Sequence, residues 1–342
     1  MDDLPRLAAF LAAHDGVLTT AEARRLGLGP NDLRRLVSDQ LLRRVARGAY
    51  AEPSQDRTTE ATRAVIALSR ARPDVAASHQ SGALRWGFPV LASALPRVHL
   101  TRTSGTAATR SHATFTIHAC PGRPDAFGLV GRLPVVTPAL AAVGTALEAG
   151  VDAGVCVADA ALRADLASRQ EMLGWVEAMR RTPHLSRARH VIAQASPTAE
   201  SAAESRARIR LLALGHRVVP QVVLREQDGA FVARVDFLLP DLGVVVEVDG
   251  ALKYAGAEGR AALVQEKRRE DGIRRLGYGV ARLVWADLDD LARIRAIVER
   301  AARTVTRAPE RVAVTVEAHQ RRTGATWHGL LLHSSADVVP RA

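Results

Sequence analysis

The segment VDFLLPDLGVVVEVDG, residues 235–250, constrains the fold more than any other stretch of this chain. Two runs of branched and aromatic residues flank Pro240-Asp241-Leu242-Gly243, a loop short enough to demand an antiparallel return. If that loop joins the strands symmetrically, Leu239 faces Val244 and, three pairs further on, Asp236 faces Glu247. Their β-carbons are then about 5 Å apart. Two carboxylates at that separation repel and raise each other's pKa unless a cation lies between them. Asp249 is two residues beyond Glu247 and shares its face. Mg²⁺ is held by one or two protein carboxylates and keeps several waters, so the pair suits a divalent metal. The competing reading is structural: Asp249-Gly250 ends the strand in a turn, and Glu247 pairs with an arginine such as Arg234. Spacing alone leaves both open.

The flanks extend the pattern. Ser196-Pro197 opens a helix that continues through ESAAESRARIRLLALG and closes at Gly215. Strands are expected at 218–224, 231–239 and 244–250, a helix around 258–276, and a last strand at 278–285. A helix, three strands, a helix and a strand make an α/β/α core, and Glu204 can approach the acids from the first helix.

VDFLLPDLGVVVEVDG followed by EKRREDGIRRLGYGVARLVWADL resembles the bacterial domain related to the very-short-patch repair endonuclease, within the PD-(D/E)XK nuclease superfamily. The helix with Glu204-Ser205-Arg206 and Leu211-Leu212 matches the same domain. The resemblance implies a restriction-endonuclease-like fold in which Asp236 and Glu247 bind Mg²⁺ or Mn²⁺. It also implies the main-chain carbonyl of Val248 as a further ligand and Glu204 as a supporting acid. The superfamily pattern has a lysine where this chain has Asp249. Only two lysines exist, Lys253 just past the strand and Lys267 on the next helix. Either can stabilise developing negative charge beside a scissile phosphate. Arg268 and Arg269 can hold phosphates, although EKRRED also reads as a solvated helix face.

The first block, residues 1–52, has apolar helical spacing at 4–13 and a turn at His14-Asp15-Gly16. Thr19 or Thr20 caps a second helix, and Pro30 opens a third carrying Leu33, Leu36 and Val37. LLRRVARGAYA then alternates as a β hairpin. Three short helices and a hairpin are the order of a winged helix-turn-helix. Its third helix and wing carry Arg34, Arg35, Arg43, Arg44 and Arg47 against Asp39 alone, which suits contact with DNA phosphates. GVLTTAEARRLGL and LRRLVSDQLLRRVARGAYA resemble the N-terminal domain of the AbiEi family of type IV antitoxins. Such domains also mediate protein contacts, and the arginines also read as a solvated face.

Residues 53–195 resemble the middle region that comes after the winged helix in AbiEi-like proteins. Helices are expected at 57–72, 77–88, 138–149, 152–167 and 169–180, with paired strands at 97–102 and 113–119. His79, His112, His118, His184 and His190 show no zinc-like spacing with a carboxylate, so each reads as a structural hydrogen-bonder. Cys120 has no adjacent base to make it a nucleophile. Cys120 and Cys156 form no disulfide scaffold or cysteine zinc site, and no glycine-rich phosphate loop is present.

The net charge of +11 is spread along the chain and is weak evidence for nucleic acid unless supported locally. The apolar stretch 138–162 is interrupted by Glu148, Asp152 and Asp159, and the start lacks a secretory n-region. A soluble, cytoplasmic protein with no membrane role is expected. The chain thus reads as an α/β multidomain protein: a winged helix-turn-helix (1–52), an α+β middle region (53–195), a PD-(D/E)XK nuclease-like domain (196–304) and a tail without assigned role (305–342). Its expected function is that of a Mg²⁺-dependent DNA endonuclease in repair or phage defence. The alternative is an antitoxin-like transcriptional repressor with a non-catalytic nuclease fold. DNA is the partner in either case. A cognate toxin or a repair or defence partner fits the resemblances, and a homodimer would suit cleavage of both strands.

Overall fold

A computed structural model of the chain describes residues 3–180, 182–226, 228–249 and 257–306. Lys253 and nearly all of the tail, from residue 307 on, lie outside the described residues. The chain divides into two compact units, one running to Ala195 and the next starting at Ser196.

In the first unit, α1 (Asp3–Ala13) presents Leu7 and Leu11 to a small core completed by Leu18, Ala23, Leu28, Leu33, Leu36 and Leu42. Next come β1 (Val17–Thr19), α2 (Thr20–Arg25) and α3 (Pro30–Ser38), then β2 (Arg43–Ala46) and β3 (Ala49–Ala51). Thr19 caps α2 through a capping box. Its Oγ1 accepts from Glu22 N at 3.3 Å, and Glu22 Oε2 accepts from Thr19 N at 2.8 Å. The expected hairpin at 43–51 is present, but it belongs to a three-stranded sheet in the order β1-β3-β2. The extra strand is β1, whose three residues read in sequence as the approach to a helix cap.

The chain continues through α4 (Arg57–Ala71), β4 (Val75–Ala77), α5 (His79–Arg85), β5 (Val98–Arg102), β6 (Arg110–Ser111), β7 (Phe115–His118), β8 (Phe127–Val130) and β9 (Leu133–Val136). Helices α6 (Pro138–Arg163), α7 (Arg169–Ala178) and α8 (Leu185–Gln194) complete the unit. The strands form a six-stranded sheet ordered β6-β7-β5-β4-β9-β8. The expected pairing of 97–102 with 113–119 is real and parallel, with Val98 opposite Phe115. Helix α4 packs on the first sheet, tied by Arg43–Glu60 at 3.0 Å, Arg63–Glu52 at 3.1 Å and Arg70–Glu22. Residues 1–52 are therefore joined to the middle region by a continuous interface. Helix α6 is long and apolar enough to cross a membrane by length and composition, yet most of it is buried inside the protein. Gly150, at φ 92°, interrupts it where two helices are expected from the sequence.

The second unit contains α9 (Ala202–Ala213), β10 (Val219–Arg225), β11 (Phe231–Leu239), β12 (Val244–Asp249), α10 (Ala257–Arg275), β13 (Gly279–Val284) and α11 (Leu291–Ala302). The sheet order is β10-β11-β12-β13; the first two pairings are antiparallel and β12–β13 is parallel. Helices cover both faces. Ala207 and Leu211 of α9 and Ile294 and Val298 of α11 bury Phe237, Leu239, Val244 and Val246. Ile273 of α10 and Leu276 just past its end bury Val222, Val235, Leu238 and Val245. The predicted register holds: Leu239 pairs with Val244 and Phe237 with Val246.

Candidate functional site

The ladder between β11 and β12 stops at Phe237–Val246, one pair short of Asp236 and Glu247. Strand alternation also breaks here. Ala233 and Val235 share a core with Leu238, whereas Phe237 and Leu239 face the other core. On the neighbouring strand Gln221 takes φ 52°, a left-handed conformation rare for a side-chain-bearing residue. Gln221 and Asp236 thus fall between the paired positions Pro220–Phe237 and Val222–Val235. Irregularities of this kind re-aim side chains that regular pleating would direct elsewhere.

At this break Asp236 Oδ2 accepts a hydrogen bond from the backbone N–H of Val248 at 2.8 Å. Burial pushes its carboxyl pKa up to about 6. The Val248 N–H opposes the rise, the charge of Glu204 adds to it, and Arg269 opposes it. Glu247 is buried and its pKa is also raised, again by burial first, with hydrogen bonds from Arg269 pulling it back. That guanidinium is bidentate on Glu247, Nη1 to Oε1 at 3.1 Å and Nη2 to Oε2 at 2.7 Å, and it also holds Glu266 through Nε at 3.0 Å. Asp249 faces Arg282 at 3.5 Å.

Glu204 is buried at the start of α9. Its carboxylate accepts from Glu200 N at 2.9 Å, Ser201 Oγ at 2.8 Å and Gln221 Nε2 at 3.0 Å. Gln221 Oε1 in turn accepts from Arg234 Nε at 2.7 Å, and Arg234 pairs with Glu200. The structure therefore brings Asp236, Glu247 and Glu204 into one electrostatic neighbourhood. It assigns Glu247 an arginine partner, but from α10 and not Arg234. Arg269, expected at a phosphate, is committed to Glu247 and Glu266. Arg268 and Lys267 are exposed on α10.

The donor set is all oxygen, the chemistry Mg²⁺ prefers. The arrangement nonetheless does not fit a two-carboxylate clamp, because both Glu247 oxygens point at Arg269 and one Asp236 oxygen is spent on Val248. A divalent ion would have to displace the guanidinium.

In the first unit, Arg34 and Arg35 are exposed on α3, beside Asn31 and Asp32 respectively. Arg44 and Arg47 are exposed on the β2–β3 hairpin. Arg43 departs from expectation: it is half-buried and paired with Glu60. Sequence spacing also conceals a cluster. His79 and His118, which read separately as structural hydrogen-bonders, come together with His99. No local pattern signals this, because the three rings are joined only through strand pairing and a helix start.

Residues 5–53 match the family model described as "Transcriptional regulator, AbiEi antitoxin". Two uncharacterised proteins of Mycobacterium tuberculosis, from strains CDC 1551 / Oshkosh and ATCC 25618 / H37Rv, are each 30% identical to this chain over 158 residues. The match covers 46% of this chain and 57% of each relative, so it spans little more than half of their length.

Proposed function

We propose that the protein is a DNA-binding transcriptional regulator of the AbiEi antitoxin type. The observation that carries this reading is the placement of Arg34, Arg35, Arg44 and Arg47. All four are exposed on the third helix and the hairpin of a block whose element order, α-β-α-α-β-β, is that of a winged helix-turn-helix. The match of residues 5–53 to the antitoxin family supports it. In this reading α3 enters a major groove and the hairpin lies along the backbone, with the guanidiniums displacing counterions from phosphates. A cognate toxin is the natural protein partner, and a gene for one beside this gene would favour the assignment.

The test is binding to the DNA upstream of its own gene across a salt series. Replacing Arg34 and Arg35 with Ala should weaken binding and reduce the magnitude of the log–log salt slope by about 1 for each phosphate no longer neutralised. Unchanged affinity and slope would remove α3 from the interface.

A second reading, a divalent-metal-dependent endonuclease, draws on the grouping of Asp236, Glu247 and Glu204 and the raised pKa values of the first two. The Arg269–Glu247 pair weighs against it. Incubation with supercoiled plasmid and Mg²⁺ or Mn²⁺ separates the readings: nicking by wild type and none by Asp236→Ala would establish the enzyme.

A further inference from the structure

We propose that His79, His99 and His118 form a binding site for one divalent transition-metal ion, Zn²⁺ foremost, with an open coordination position facing a cavity. One nitrogen from each ring lies within 4.8 Å of the others. The placement follows from the fold. His99 lies in β5 and His118 ends β7; because Thr101 pairs with His118 and His99 with Thr116, the two histidines are diagonal neighbours on one sheet face. His79 begins α5, and that helix start is fastened to β5 twice. Ser78 N donates to His99 O at 3.0 Å, and His99 N donates to Ser81 Oγ at 2.9 Å.

The distances suit an ion. His99 Nδ1 and His118 Nε2 are 2.9 Å apart, and the His79 ring stacks on His118 with centroids 3.8 Å apart. Tetrahedral zinc with bonds of about 2.0–2.1 Å separates its nitrogen ligands by roughly 3.4 Å. An ion is therefore admitted when the 2.9 Å pair parts slightly and the His79 ring turns out of its stack on His118 to aim its in-plane lone pair at the ion. The protonation state suits it as well, since imidazole binds metal only when neutral. Burial holds all three rings below the ordinary histidine range, His99 at about 3 and His118 at about 4. His79 Nδ1 lies 3.0 Å from Ser78 Oγ, the kind of outer partner that fixes a ligand's tautomer, and this leaves Nε2 to bind.

A hydrogen-bonded pair of structural histidines would account for His99 and His118 but not for what is arranged around His79. That residue takes φ 53°, a left-handed conformation that a non-glycine residue retains when its surroundings impose it. Gly144 of α6 lies so close that a Cβ there would meet the His79 ring at 2.9 Å. The cluster also opens onto a cavity of about 620 Å³, lined by His79, His118, Cys120, Glu148, His184 and Arg187 among others. Among the described residues no carboxylate or thiol joins the three histidines. Three protein nitrogens and an exchangeable fourth position are the pattern of a zinc site that presents a water or a ligand, whereas structural sites are closed.

The test uses the full-length, tag-free protein, stripped with chelator and titrated with Zn²⁺ by calorimetry, with metal content measured after dialysis. One equivalent per chain is expected. His99→Ala and His118→Ala should each weaken binding at least about 100-fold, and Ser78→Ala about 10-fold. If a histidine variant fails to fold by circular dichroism, Ser78→Ala and Gly144→Ala, which crowds the His79 ring, carry the test. Cys120→Ser should leave the affinity unchanged. The proposal is overturned if wild type takes up no stoichiometric Zn²⁺, or if the folded variants at positions 78, 99 and 118 bind as wild type does. A loss of affinity in Cys120→Ser would overturn the open position.

Discussion

Asp236 carries an electrostatic cost in the folded protein. Its carboxyl pKa is about 6 in the folded protein, above the ordinary aspartate value of 3.8, chiefly because of burial. A raised carboxyl pKa means that ionisation is harder in the folded state than in the unfolded one. The penalty is absent below about pH 4, grows as pH rises through 6, and is complete above it. Asp236→Asn keeps an acceptor for the Val248 N–H and removes the charge. It should therefore stabilise the second unit by about 1–3 kcal/mol at pH 7.5 and make little difference at pH 4. Urea midpoints at the two pH values check this, and a variant less stable than wild type at pH 7.5 would contradict it. Arg269 is the counterpart. Removing it leaves Glu247 buried with its charge uncompensated, so Arg269→Ala should cost about 3–5 kcal/mol. Millimolar Mg²⁺ should raise the melting temperature of this variant and not that of wild type, because in wild type the guanidinium already holds Glu247. A Mg²⁺-dependent rise in wild type would show that the ion competes successfully.

At the scale of elements, the legible parts are those that local chemistry decides. The β11–β12 register is readable because a four-residue loop leaves one symmetric pairing that keeps Phe237 and Val246 buried together. The start of α2 is readable because Thr19 and Glu22 make the reciprocal bonds of a capping box. Thr19→Ala should accordingly lower the stability of the first unit by about 1 kcal/mol, measured as a shift in its thermal midpoint. No shift would mean that Arg70, which also holds Glu22, suffices to anchor the helix. Elements decided by distant partners are not readable. β1 and β4 are three residues each, too short to show a period, and exist because β3 and β5 pair with them. β8 and β9 lie in FGLVGRLPVV, whose Gly and Pro read as loop until the sheet edge is seen. The break at Gln221 and Asp236 is hidden for a related reason: the register passes through it unchanged, so only the exchange of cores betrays it.

At the scale of the whole molecule, the two units separate two kinds of chemistry, and a single experiment can address both. Each unit has its own buried core: the small leucine cluster and the six-stranded sheet with its helices in one, the two faces of the four-stranded sheet in the other. The histidine cluster belongs to the first and the carboxylate cluster to the second. The basic residues proposed to contact DNA are likewise local. The net charge of +11 is spread over the chain, while the exposed arginines of α3 and the β2–β3 hairpin fall within one short stretch of sequence, residues 34–47. A ligand that binds only the folded form of one unit stabilises that unit by mass action and leaves the other where it was. Calorimetry of the full chain should then resolve two transitions. Zn²⁺ should raise the midpoint of one, and Asp236→Asn at pH 7.5 should raise the midpoint of the other. A single transition that responds to both would mean that the units unfold together, and the separate cores would then have to be coupled energetically.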